Sequence, residues 1–171
     1  MRALDKMVHG KDGQSYHLRP IRAADAPSLM RGYDAMSDQA KWFRLLYTVP
    51  HLTAETAARF CAPDPAREIC VVVEGHGALE SEILGGARIA GEADGRSAEF
   101  SVSLRPEAQG LGLGRAALET VFDAAKDKDY ESVWGLIAHD NRAMLSLAHQ
   151  MGFTLETDPT NPGVMRAELT L

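Results

Sequence analysis

The chain of 171 residues is long enough to bury one sizeable core, and its 45% hydrophobic and 25% charged residues are the balance of a globular domain. No apolar run approaches the ~20 residues that span a bilayer, which argues against a membrane protein. A net charge of −6 argues against nucleic acid as the main partner, since duplex binding uses a basic face, and is compatible with a cationic substrate.

The N-terminal "MRALDKMVHGKDGQ" holds no apolar segment that could act as a signal peptide, so a cytoplasmic location is expected. "HGKDGQSYHLRPI" reads as a hairpin with a Lys-Asp-Gly turn and a strand from Tyr16 to Ile21, so residues 1–15 form an N-terminal extension. In "AADAPSLMRGYDAM", Leu29, Met30 and Tyr33 recur at helical spacing, with Asp25 and Pro27 as helix-start signals. "SDQAKWFRLL" is a second helical segment. "TAETAARFCA" is a third, capped by Thr53 and stopped before Pro63. Cys61 and Cys70 form no CxxC pair and have no histidines at metal spacing beside them. They are expected to be reduced structural thiols, with no metal bound.

Three strands follow. "EICVVVE" is nearly continuous in apolar residues, as a buried strand is. The glycines of "ILGGARIAGE" suggest a bend or bulge. In "AEFSVSL", alternation puts Ala98, Phe100, Val102 and Leu104 on one face and Glu99, Ser101 and Ser103 on the other. Next come "PEAQGLGLG" and a helix whose apolar face carries Ala117, Leu118, Val121, Phe122 and Ala125. "SVWGLIA" is a strand. Asp140 or Asn141 caps a helix with Met144, Leu147, Ala148 and Met151 on one face, ended by Gly152. "FTLE" and "VMRAELTL" close the chain. The order β, helices, βββ, α, β, α, ββ predicts an α/β (α+β) domain on a mostly antiparallel mixed sheet.

The glycines after Gln109 pose the functional question. A helix N-terminus exposes about four unpaired N–H groups and a partial positive charge. Backbone without Cβ atoms lets a phosphate approach them closely. A tight strand-to-helix turn would also need glycine for its dihedrals, and the glycines alone do not separate the two readings. A P-loop needs Gly-Lys-Ser/Thr, but Arg115-Ala116 follow Gly114. A Rossmann loop needs GxGxxG within a β-α-β unit, whereas this loop is GxGxG and follows a strand meander.

Gln109-x-x-Gly112-x-Gly114 directly after a strand, then a second strand, Asn141 at a helix start, and Gly152-Phe153, together resemble the GNAT superfamily of acyl-CoA-dependent N-acetyltransferases. The resemblance runs from about Tyr16 to Glu156. "LRPIRAADAPSL", "ILGGARIAGEADGRSAEFSVSLRPEAQGLGLGRAALE" and "NRAMLSLAHQMGF" are similar to the acetyltransferase domain of bacterial Pat-type protein lysine acetyltransferases. The resemblance implies one GNAT domain over residues 1–171, with helices on both faces of a twisted sheet. Its relatives often carry a larger regulatory domain beside this one, so the chain is expected to be the catalytic domain alone.

The resemblance also implies acetyl-CoA as cosubstrate. Its pyrophosphate would be held by the backbone of Gln109, Gly110, Leu111, Gly112, Leu113, Gly114 and Arg115. Its pantetheine arm would lie along Val102, Ser103 and Leu104, and Asn141 would help hold it. The cofactor is expected to enter where "AEFSVSL" and "SVWGLIA" splay apart. The acceptor would be a primary amine, preferably a protein lysine, with a polyamine, amino acid or antibiotic as the alternative. An acyl-CoA-binding sensor without chemistry is a third reading.

Acetyl transfer to an amine faces two obstacles. An amine of pKa ~10.4 is neutral in only about one molecule in 2,500 at pH 7, a penalty of roughly 4.6 kcal/mol. The carbonyl oxygen gains charge in the transition state and needs donors. The resemblance places the general base at Glu99, ten residues before Gln109, where partial burial would raise its pKa from ~4.3. Ala148 stands where many GNAT enzymes have an acidic tyrosine, and the Pat-type domains commonly lack it too. His149, His139 with Asp140, Glu119 and Asp123 read as surface residues. Trp42, Phe43 and Tyr47 lie where the acceptor rim is built, and core packing is the leading reading for most of them. The oligomeric state is left open, with a closing strand such as Val164–Leu171 as a candidate for pairing across a homodimer.

Overall fold

The computed structural model describes residues 3–39, 41 and 51–171. Most of the helical segment read at Ser37–Leu46, with Trp42, Phe43 and Tyr47, lies outside the described residues.

The N-terminal hairpin pairs β1 (Lys6–His9) with β2 (Ser15–Pro20) around the Lys-Asp-Gly turn. Helix α1 (Ala26–Asp34) and helix α2 (Ala54–Phe60) follow. The meander β3 (Glu68–Glu74), β4 (Ile83–Gly91) and β5 (Ser97–Leu104) leads into α3 (Leu113–Asp127). The chain closes with β6 (Ser132–Ala138), α4 (Arg142–Gln150), β7 (Thr154–Asp158) and β8 (Asn161–Thr170). The eight strands form one sheet in the order β1-β2-β3-β4-β5-β6-β8-β7. Every pair is antiparallel except β5–β6, which α3 joins as the crossover a parallel pair requires. The mixed, mostly antiparallel sheet expected from the sequence is therefore present.

Both faces of the sheet are packed. On one face α3 buries Leu113, Ala117, Leu118, Val121, Phe122 and Ala125 against Leu18, Val71, Val73, Ile89 and Phe100. Helix α4 adds Ala148 to the same core, and Phe153 joins Phe100 and Phe122 in a three-ring cluster with centroids 5.1–5.9 Å apart. On the other face α1 and α2 pack on each other through Tyr33 and Ala57. The bend expected in β4 is a bulge: Val73 pairs with Gly85 but Glu74 with Ile83, leaving Leu84 as the extra residue.

Two buried arginines tie α1 to the sheet. Arg19 makes a two-pronged bond to Asp25, 2.9 Å on each arm, and a third to Glu74. Burial opposes the charge on Asp25, but Arg19 and the Arg22 N–H outweigh it and hold the carboxyl below its ordinary value. Asp25 thus starts the helical region through Arg19 and Arg22. It is the N-cap residue of α1, with Pro27 in the first turn as expected, and its side chain bonds back to the Arg22 N–H rather than forward into α1. Thr53 does cap α2, accepting from the Thr56 N–H. Arg105 donates to the Ser28 carbonyl and to Glu82, each at 3.0 Å, and lies against Gly32 of α1. The Arg31 guanidinium is the main cause that brings the Glu82 carboxyl down to about 2, helped by Ser28 and Arg105 against a desolvation cost.

Two outcomes follow from this packing. Because Glu82 titrates at about 2 in the fold instead of 4.5, its contribution is fully present above pH ~4.5 and is lost as pH falls through about 2. Urea unfolding of Glu82→Gln should show a loss of about 2 kcal/mol at pH 7 that shrinks across that window. At Gly135 of β6, an added Cβ would lie 2.8–3.0 Å from three atoms of the Phe100 ring, which Phe122 and Phe153 hold in place. Gly135→Ala should lower stability by about 2 kcal/mol in thermal unfolding.

Candidate active site

The parallel pairing of β5 with β6 covers three residues: Ser97–Ser132, Ala98–Val133 and Glu99–Trp134. Beyond Glu99 the strands part, although β5 runs on to Leu104 and β6 to Ala138. Strand β5 stays paired with β4 through Leu104. The Arg105 N–H donates to the Leu84 carbonyl at 2.7 Å, which sets the phase of that ladder. Hydrogen-bonded pairs alternate in an antiparallel ladder, so Ser101 and Ser103 turn their backbone groups toward β4. Val102 and Leu104 turn theirs toward the gap. Of the three β5 residues read as cofactor contacts, Val102 and Leu104 therefore offer backbone groups there, while Ser103 spends its own on β4.

The glycine loop closes one end of this gap. A 3₁₀ turn at Pro106–Ala108 reverses the chain, and the Gln109 side-chain amide donates to the Leu104 carbonyl at 3.1 Å. That bond ties the loop to the last residue of β5. Gly110 and Gly112 hold φ of +74° and +81°, the left-handed region that costs a side chain about 1 kcal/mol or more. Gly112 is the N-cap of α3 and brings no side-chain acceptor. The first bond of the helix runs from the Ala116 N–H to the Gly112 carbonyl. The helix ladder thus leaves the N–H groups of Gly112, Leu113, Gly114 and Arg115 without intrahelical acceptors. Gly114 lets the helix sit close to β5, with an ideal Cβ only 3.3 Å from Leu104 Cδ1 and 3.8 Å from Val102 Cγ2. The Arg115 guanidinium is paired with Glu119 at 2.8 Å along the helix, so only its backbone faces the N-terminus. Leu111 packs its side chain partly into the core.

Glu99 stands on the last paired rung of β5, on the face that also carries Ser101 and Ser103. It is exposed, where the sequence reading expected partial burial. The reason is the two-residue period of the strand: Ala98 and Phe100 point into the α3 core, and Glu99 points out the other way.

A groove runs over that face. One part, about 510 Å³, is lined by Leu29, Tyr33, Met36, Leu52, Phe60, Ile83, Ser103 and Arg105, among others. An adjoining part shares Leu29, Phe60, Ile83, Gly85 and Ser103 with it and extends to Ser101 and Arg88. Sequence reasoning missed Arg105 and Phe60, since only the bringing together of α1, α2 and β5 makes them neighbours.

The remaining candidates are dispersed. Asn141 caps α4 by accepting the Met144 N–H at 3.3 Å. His139, Asp140 and His149 are exposed, and Ala148 is fully buried. Cys61 is buried, and desolvation raises its thiol above the ordinary value, which makes it a poor nucleophile. No group of three or more metal-ligating side chains occurs among the described residues.

The acetyltransferase (GNAT) domain family model matches residues 16–154, and the chain belongs to that family. Among individual proteins, an acetyltransferase of Pseudomonas aeruginosa is 24% identical over 148 residues, covering 86% of this chain and 80% of its own. The GNAT domain of Streptomyces lividans PAT superposes with a TM-score of 0.87 at 24% identity, over 98% of this chain and 97% of that one. YncA of Salmonella typhimurium, solved with its cofactor acetyl-CoA, has a TM-score of 0.71 at 22% identity, over 91% and 94% of the two chains.

Gly112→Ala tests the loop directly. It should place a side chain at φ +81°, weaken coenzyme A binding by about tenfold in calorimetric titration, and lower the unfolding midpoint by only about 2–4 °C from the strain of roughly 1 kcal/mol.

Proposed function

We propose that this chain, acting as a single acetyltransferase domain, transfers an acetyl group from acetyl-CoA to a primary amine, and that the amine is a lysine side chain of a protein. The observation that carries the reading is the gap between β5 and β6. It joins the backbone of Val102 and Leu104, the N–H groups at the α3 N-terminus that lack helical acceptors, and Glu99 at the last rung that β5 shares with β6.

The residues fit acetyl-CoA. Gly110 and Gly112 present bare backbone where a pyrophosphate must approach, and the gap has the extended form of a pantetheine arm. Bound acetyl-CoA supplies the thioester carbonyl that the amine attacks. Val102 or Leu104 holds the arm, and a backbone N–H turned into the gap stabilises the charge that develops on the carbonyl oxygen. The amine nitrogen forms the new N–C bond as the C–S bond breaks. Its proton goes to the Glu99 carboxylate, directly or through a water molecule, and the thiolate leaves without a protein acid at Ala148. Exposure of Glu99 suits a base that must pass its proton back to solvent.

The lysine acceptor is supported by the likeness of "AEFSVSL" and its flanks to lysine-modifying domains, and by the groove. Leu29, Tyr33 and Phe60 give apolar walls for a four-carbon stem, and the β5 face that lines the groove leads toward Glu99. The concave apolar walls of the groove equally suit a second reading in which a small amine is the acceptor. A reducing, cytoplasmic setting is consistent with two free cysteines.

Incubation of the purified protein with labelled acetyl-CoA and a filtered lysate of the source organism separates the readings. Enzyme-dependent label in protein bands is the expected result. Label confined to small molecules would move the acceptor to a free amine, and binding without transfer would make the chain a sensor. Glu99→Gln should cut transfer by about 10²–10⁴-fold while leaving coenzyme A affinity unchanged. Transfer by that variant at the wild-type rate would remove Glu99 as the base.

A further inference from the structure

The turn between β1 and β2 reaches the glycine loop. The Lys11 N–H donates to the Leu111 carbonyl at 3.0 Å, a contact 100 residues apart in sequence. An ideal Cβ on Gly112 would lie 3.8 Å from Lys11 Cε, so the Lys11 stem runs over the bare N-cap of α3. The ammonium sits one bond further, within about 5.3 Å of the same point. The hairpin therefore adds a full positive charge to the partial charge of the helix N-terminus.

The turn is built to hold this position. Gly10 donates its N–H to Gln14 and accepts from the Gly13 N–H. Asp12, the carboxylate beside Lys11 in sequence, is turned back into the hairpin: it accepts the Tyr16 hydroxyl at 2.6 Å and the Gln14 N–H at 3.1 Å. Tyr16 is buried in the main core, so the turn is anchored from below. Lys11 itself enters no ion pair among the described residues, whereas Arg115, the other cation at the loop, is occupied by Glu119.

We infer that Lys11 is a coenzyme A contact, its ammonium reaching the pyrophosphate from beside the bare backbone of Gly112 at the α3 N-terminus. This rests on the reading that the glycine loop holds the pyrophosphate. The N-terminal hairpin then has a binding role in addition to extending the sheet.

Calorimetric titrations with coenzyme A and with 3′-dephospho-coenzyme A test it, using Lys11→Gln and Lys11→Arg. The Gln variant keeps most of the stem and the backbone bond to Leu111. Expected is about tenfold weaker binding of both ligands by Lys11→Gln, recovery to within about twofold by Lys11→Arg, and unchanged unfolding midpoints. Unchanged affinity in Lys11→Gln would overturn the inference. So would a loss seen with coenzyme A but not with the dephospho form, which would place the lysine on the 3′-phosphate. Failure of the wild-type protein to bind coenzyme A would instead sink the functional reading beneath it.

Discussion

The parting of β5 from β6 is the constraint on which the rest of the site depends. Three residue pairs hold the strands together, and then two parallel strands run on with no ladder between them. Backbone groups at a sheet interior are normally claimed by the neighbouring strand, so the gap leaves Val102 and Leu104 with hydrogen-bonding capacity that must be met from elsewhere. The protein meets one of these needs itself, with the Gln109 amide on the Leu104 carbonyl. On the helix side the gap is sealed: the Phe100 ring lies over Gly135 and is clamped by Phe122 and Phe153. The opening is therefore one-sided. The same geometry places the α3 N-terminus at the gap, because the crossover that makes the pair parallel must leave from the end of β5.

The polar interior complements this opening. Arg19 with Asp25 and Glu74, and Arg105 with Ser28 and Glu82, are ionic links between α1 and the strands beneath it. Taking a guanidinium out of water is costly, and these pairs offset the cost with several directed bonds each. What they secure is position. Helix α1 forms a wall of the groove, and the Arg105, Arg31 and Ser28 contacts to Glu82 and Ile83 add direction to its apolar packing on the sheet. Among the described residues the Nε of Arg105 is buried without a hydrogen-bond partner, while its terminal nitrogen is held by Ser28 and Glu82.

Much of the fold was legible from local patterns. The strand periods, the Thr53 cap, the α3 face from Ala117 to Ala125 and the Gly152 terminator all act over a few residues, and the structure bears them out. The side of β5 that carries Glu99, Ser101 and Ser103 followed from alternation alone. What local patterns left open, and the burial of Glu99 that they misjudged, share another cause. Asp25 marks the helix start as its sequence suggests, but that an arginine six residues earlier also claims its carboxylate is a tertiary matter. Glu99 was expected to be partly buried, but burial depends on what covers the outer face of β5, which no local pattern encodes. Ser103 was grouped with Val102 and Leu104, and only the hydrogen-bonding phase set by Leu84 and Arg105 separates them.

By itself, the sequence determined the elements, their order, the glycine-bearing loop at the start of a helix and the family to which these belong. The elements and the loop are matters of local propensity, and the family follows from short motifs spaced along the chain from Tyr16 to Glu156. The tertiary structure alone decided where β5 and β6 stop pairing, which backbone groups face the gap, and that Lys11 lies over Gly112. Those outcomes turn on contacts such as Leu84–Arg105, Glu99–Trp134 and Lys11–Gly112, far apart in sequence, whose meeting depends on how the whole sheet closes over one core.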